Sequence, residues 1–199
     1  MNVMVELSRA AFDAVVLDLD GVVTDTAYLQ EIAWKRLFDE FLDTRPLLAG
    51  EDLRPFEHED YRRVVDGRPR FDGALGFLTS RGISLPAELV HDLGAQKDSY
   101  FQDLLAQEGA ELIPGVLPLL IALRREGFRT AIVSASCNCG TVLDKAGLSD
   151  FFDASVDGFV ATELGLPGKP DPAVFLEAAG RLRTSPERSV VVEDALAGV

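Results

Sequence analysis

Cysteine, histidine and long apolar runs are scarce in this sequence, and positive charge is in short supply. Two cysteines, Cys137 and Cys139, occur in 199 residues. Their C-x-C spacing is too tight for an ordinary structural disulfide, and two thiols cannot complete a tetrahedral zinc site. A disulfide-stapled scaffold is excluded, and a reducing, cytoplasmic compartment is expected. His58 and His91 stand apart from any ligand-like spacing and are expected at the surface. No stretch of 18 apolar residues occurs, so nothing reads as membrane-spanning. The opening MNVMVELSRAAFD lacks the basic region and apolar stretch of a secretory signal. Lys and Arg number 19 against 33 Asp and Glu, a net charge of −14. That charge repels nucleic acid and anionic membranes, so neither is an expected partner, and a small anionic ligand would need a local basic pocket.

A hydrophobic content of 47% is ample for a packed core. Asp13 to Asp18 (DAVVLD) is a short apolar run entering a glycine-containing turn, the pattern of a buried parallel strand. Similar strands are expected at Arg129 to Ser134, Ala154 to Asp157 and Ser189 to Glu193. Helical patterns at Val116 to Glu126, Gly140 to Ala146 and Pro172 to Arg183 lie between them, with Asp171 as the cap of the last. Strands alternating with helices predict an α/β fold with a parallel, Rossmann-like sheet covered on both faces. From Asp25 to Glu111 only helical periodicity appears, as in IAWKRLFDEFL and SYFQDLLAQEG. The expected organisation is a core of residues 1–24 and 114–199 with a helical cap, 25–113, inserted after the first strand. Hinges fall near Thr24–Thr26 and Ile113–Gly115.

Ligands of open α/β sheets bind at the carboxyl ends of the strands. There the first strand presents Asp18 and Asp20, the second Ser134, and the last Glu193 and Asp194, while Lys169 lies on the loop before the last helix. Any one Asp at a strand end is more often a cap or turn former. The set together, with carboxylates from two strands crowded at one edge, favours a cation such as magnesium, with the lysine balancing an anionic group. Arg62, Arg63, Arg68 and Arg70 cluster in DYRRVVDGRPR, readable either as a solvated helix face or as an anion pocket.

DLDGVVTDT, the strand-ending Ser134, GKPDPAVF and VVEDALAGV resemble the four motifs of the haloacid dehalogenase superfamily, over nearly the whole chain. TDTA followed by AW, DGRPR and VSASCN most resemble its β-phosphoglucomutase branch and the sugar-phosphatase relatives. The resemblance implies that Asp18 attacks phosphorus to become an aspartyl phosphate, and that Asp20 is the general acid and base. It further implies Mg²⁺ held by Asp18, the carbonyl of Asp20 and Asp194, with Glu193 assisting. Ser134 and Lys169 would hold the transferring phosphoryl group. Thr26, Gly67, Arg70, Lys97, Ala135, Ser136 and Asn138 would complete the phosphate and substrate contacts. The implied partner is a small phosphorylated sugar, and a monomer is expected.

Three departures from that pattern stand out. Gln30 occupies the place of a cap histidine in the mutases, and glutamine cannot titrate. Cys137 replaces a lysine frequent in this loop. Val199 follows directly on the fourth motif where relatives continue, so a fragment or an uncovered sheet edge is expected. Trp34 reads as packing of the first cap helix rather than as a sugar platform. Four readings follow: a phosphosugar mutase, a phosphatase, a carbon–halogen hydrolase, which Asp20 and the acidic fourth motif argue against, and a non-catalytic module.

Overall fold

The apolar run after Asp13 forms β1 (Ala14–Asp18), all five residues of which are buried. The computed structural model describes residues 7–199, so the first six residues of the opening segment lie outside the described residues. β1 is central, with parallel neighbours on both sides: β2 (Arg129–Val133) and β4 (Ser189–Val192). β3 (Ala154–Val156) pairs with β2, and the order is β3-β2-β1-β4. Leu17 stands level with Ile132 on one side and Val192 on the other. This register brings the ends of β1, β2 and β4 to one edge.

Two-residue alternation along β1 divides the core. Val15 and Leu17 face a cluster that includes Leu120 and Leu123 of α5 (Val116–Arg125) and Val142 of α6 (Cys139–Ala146). Ala14 and Val16 face the opposite cluster, with Val174 and Ala178 of α8 (Ala173–Arg181). A sheet buried on both faces explains why its central strands read as continuous apolar runs. β1 ends at Asp18 as expected, whereas β2, β3 and β4 each stop one residue short of the expected end, so Ser134, Asp157 and Glu193 lie in the loops beyond. The last helix begins at Ala173 rather than Pro172, and Asp171 Oδ1 accepts from the Ala173 amide at 2.9 Å. Among the described residues β4 lies at an edge of the sheet, with Val191 42% and Val192 36% exposed.

Within residues 27–108 every regular element is helical: α1 (Ala27–Thr44), a short α2 (His58–Asp60) running into a π-helical turn at Tyr61–Val65, α3 (Arg70–Ser80) and α4 (Ala87–Glu108). They enclose their own cluster, in which Trp34 stacks on Phe38 and Phe38 meets Phe77 at 3.9 Å between ring centroids. Buried Arg81 ties this unit together through Asp60, at 2.6 Å, and the carbonyls of Arg54 and Pro55. The roots of α1 and α4 join the core instead, placing Leu29, Ala33, Phe101 and Leu105 against Leu17 and Leu19. The two connections run side by side: Asp25 N–H donates to Glu111 O at 2.9 Å, Ile113 N–H to Val23 O at 3.1 Å, and Thr24 bridges Leu112 antiparallel. Among the described residues no helix is long and apolar enough to cross a membrane.

Candidate active site

The turn after β1 is built by its own backbone. Gly21 N–H donates to Thr24 O at 2.8 Å, and the amides of Val23 and Thr24 return to Leu19 O. Gly21 has φ +87°, and a Cβ there would fall 2.1 Å from Asp194 Oδ2, so only glycine lets the fourth motif approach the first. Oxygens of Asp18, Glu193 and Asp194 consequently lie within 4.8 Å of one another. Lys169, itself buried, donates to Asp18 Oδ1 at 2.5 Å and to Glu193 Oε2 at 2.6 Å.

Burial pushes the Asp18 carboxyl well above its usual range, Glu193 and Asp20 add to the rise, and Lys169 opposes it. Asp194 is raised to about 6 by burial first, then by Asp66 and Glu193. For Lys169, burial alone would lower the pKa, but Asp18 and Glu193 outweigh it and the net shift is upward. One lysine therefore balances an excess of carboxylates. An all-oxygen donor set with surplus negative charge is what a hard divalent cation takes, so these residues fit magnesium.

Asp20 faces the other way, toward the helices. Its Oδ1 accepts from Thr26 Oγ1 at 2.6 Å and from Gln30 Nε2 at 3.2 Å, and Ser134 Oγ lies 3.5 Å from Oδ2. Thr26 is the N-cap residue of α1, yet its hydroxyl caps nothing and goes to Asp20. The Thr24 and Thr26 hydroxyls lie 2.8 Å apart, and Thr24 Oγ1 also donates to Leu19 O at 3.3 Å. Lys97 Nζ donates to Gln30 Oε1, so glutamine connects a buried ammonium to Asp20. Burial lowers the Lys97 pKa to about 8, with Asp20 opposing and Arg70 assisting the fall.

Asp18, Asp20, Gly67, Arg70, Lys97, Ser134, Ala135 and Ser136 line one cleft between sheet and helices. Its interior volume is about 60 Å³, room for a few waters and not for a hexose phosphate. Gly67, with φ +70°, sits so near the core that a Cβ would fall 2.8 Å from Ala195 Cβ. The 66–70 loop thus rests on the fourth motif with the cleft shut. A larger cavity of about 400 Å³ opens beside it, walled by Phe71, His91 and Leu166 and reached past Arg70 and Lys169.

Five anticipated residues stand outside the cleft wall itself: Lys169, Glu193 and Asp194 gather at Asp18, and Thr26 and Asn138 act through neighbours. Thr26 acts through Asp20, and Asn138 Nδ2 donates to Asp98 Oδ1 of α4 at 2.7 Å, joining core to helices. Sequence reading missed Tyr61 and Asp66, which line the cleft together with Arg68 of the arginine cluster, and α7 (Gly158–Leu164), which walls the larger cavity. Asp66 is raised by burial, with Tyr61 opposing, and burial raises Tyr61 well above the usual phenol. The arginine cluster splits: Arg62 and Arg63 are exposed, whereas Arg68 and Arg70 turn inward. Trp34 is packed as expected and also borders the cleft, 5.1 Å from Lys97 Nζ. His58 and His91 are exposed, and Cys137 and Cys139 are free thiols.

The family model described as haloacid dehalogenase-like hydrolase matches residues 12–199. A β-phosphoglucomutase of Mycobacterium bovis is 41% identical over 196 residues, covering 94% of this chain and 75% of the relative. A phosphorylated carbohydrates phosphatase of Thermotoga maritima is 27% identical, covering 94% and 78%. The crystal structure of a β-phosphoglucomutase from Clostridium difficile superposes with a TM-score of 0.78 at 28% identity, covering 94% of this chain and 78% of that one.

Proposed function

The chain belongs to the haloacid dehalogenase-like hydrolase family, and from that premise we propose that it interconverts the 1- and 6-phosphates of a hexose as a β-phosphoglucomutase-type enzyme. At the coarser level it is a phosphosugar mutase or phosphatase. The observation that carries the finer reading is the opposition of two carboxylates across one closed cleft. Asp18 is fixed by Lys169 on the floor, and Asp20 is held by Thr26 and Gln30 beneath the helices.

In this reading an Asp18 oxygen attacks phosphorus and the bond to the sugar oxygen breaks. Asp20 gives that oxygen its proton. The aspartyl phosphate then passes to a second hydroxyl of the reoriented sugar, whose proton returns to Asp20. Ser134 and Lys169 orient the transferring group, and Arg70 and Lys97 bind its far end. Asp18, Asp194 and the Asp20 carbonyl, with Glu193 assisting, would hold Mg²⁺, which supplies charge neutralisation at the phosphoryl oxygens. Segment 25–113 serves as a cap that opens to admit the sugar, since the closed cleft is too small for it. Free thiols suit a reducing cytoplasm, and we take the working unit to be a monomer.

Labelled hexose bisphosphate tests the reading. Label retained on sugar supports the mutase, whereas quantitative release as inorganic phosphate makes the enzyme a phosphatase. One observation favours the second outcome in part. Gln30 bonds both Asp20 and Lys97 but cannot share a proton, so cap closure is coupled to Asp20 without titration. Gln30→His is expected to lower the ratio of phosphate release to isomerisation, measured with glucose 1-phosphate and a bisphosphate primer. An unchanged or higher ratio removes Gln30 from that role.

A further inference from the structure

Three cations of the helical segment border the cleft: Arg68, Arg70 and Lys97. Two are engaged by the protein itself. Arg70 Nη1 lies 3.2 Å from Asp98 Oδ2, and Lys97 Nζ donates to the Gln30 side-chain oxygen. Arg68 joins no ion pair among the described residues, and its Nε is buried without an acceptor. The other buried side-chain nitrogen without a partner, Arg81 Nε, belongs to a guanidinium whose terminal nitrogens are satisfied by Asp60 and two backbone carbonyls, far from the chemistry. A buried guanidinium N–H with no acceptor is unfavourable, and such groups ordinarily find a partner.

The backbone at Arg68 is fixed in place. Its N–H donates to Val65 O at 3.2 Å, and the preceding Gly67 rests on Ala195 of the core. The side chain borders the cleft together with Asp18 and Asp20 on one side and an outer groove beside Arg63 and Asp72 on the other, in a molecule whose overall charge of −14 offers an anion no general attraction. The planar fork of a guanidinium matches two oxygens of a phosphate.

We propose that Arg68 is a substrate-binding residue that grips the non-transferring phosphate of the phosphosugar, as a second guanidinium beside Arg70, and so sets the preference for doubly phosphorylated sugars. The proposal rests on the phosphosugar reading above.

Equilibrium titration in the full chain carrying Asp18→Asn, where turnover is blocked, measures affinity for hexose 1,6-bisphosphate and for glucose 1-phosphate. The parent should prefer the bisphosphate, and Arg68→Gln should shrink that preference about 10–100-fold, as expected for losing a charge-assisted hydrogen bond. Arg68→Lys, which keeps the charge but not the fork, should restore part of it. General damage to the fold would weaken both ligands together and leave their ratio unchanged. An unchanged ratio, or a parent with no preference to lose, overturns the proposal. If Arg68-dependent preference is found while the Asp18 enzyme transfers phosphate to and from no sugar, the functional reading falls and the Arg68 site stands. Normal transfer with Arg68-independent binding does the reverse.

Discussion

At the floor of the cleft, Asp18 ends β1 and Glu193 and Asp194 follow β4, two strands hydrogen-bonded to each other along their length. On the roof, Arg68, Arg70 and Lys97 come from a turn and two helices with no ladder between them. Lys169 locks Asp18 to Glu193, at 2.5 and 2.6 Å, while Arg70 and Lys97 bond to neighbours within the helical segment and Arg68 joins no ion pair among the described residues. A floor built this way suits covalent chemistry, which tolerates little misplacement. A roof built from separable side chains can be retuned for a different sugar without disturbing that chemistry.

Substitutions can break this contrast, beginning where the largest effect is expected. Asp18→Asn should reduce turnover by about 10⁴ or more and abolish covalent phosphate labelling while the fold survives, because an amide is nearly isosteric but a poor nucleophile. A trapped phosphoenzyme in that variant would remove Asp18 from its role. Asp20→Ala should slow turnover by about 10²–10⁴ even at saturating magnesium. Asp194→Ala should instead raise the magnesium concentration needed for half-maximal rate. Identical behaviour of the two at saturating metal would erase the proposed division of labour.

The smallest effect is expected on the roof. Lys97, with its pKa near 8, loses its charge as pH rises through that value. KM for a phosphosugar should then climb several-fold above pH about 8 with little change in kcat, and Lys97→Met should flatten that limb. The sign for stability is opposite. Because the folded-state pKa lies below the free value of 10.5, the folded protein holds fewer protons than the unfolded chain between about pH 8 and 10.5, and the contribution of Lys97 to stability rises across that window. A KM that stays level from pH 7 to 9.5 would show that the ammonium does not bind substrate.

The same division governs what could be read from sequence. Floor residues were legible because strand ends obey a local rule: an apolar run, a carboxylate and a glycine fix both position and direction, as at Asp18-Leu19-Asp20-Gly21. The roof obeys no such rule. Arg62, Arg63, Arg68 and Arg70 are alike in type and close in sequence, yet the π-helical turn at Tyr61–Val65 and the positive φ of Gly67 send two to solvent and two inward. Asp66 and Tyr61 depend on the same turn and were missed for that reason. Helix α7 was missed because its apolar spacing is weak, although Asp157 accepting from Val160 N–H at 2.9 Å marks its start.

The side-by-side connections at Thr24 and Leu112 bear on how such a chain can fold at all. Closing a loop costs entropy that grows with its length, by about 0.6 kcal/mol per doubling. Here the intervening segment leaves and re-enters the core through adjacent, hydrogen-bonded connections, so its ends are already held together once its own aromatic cluster forms. To the sheet, the whole excursion then presents the entropy of a short hairpin. Helical segments of different length can be exchanged at this point with little penalty to the sheet, provided that the exit pairing is kept.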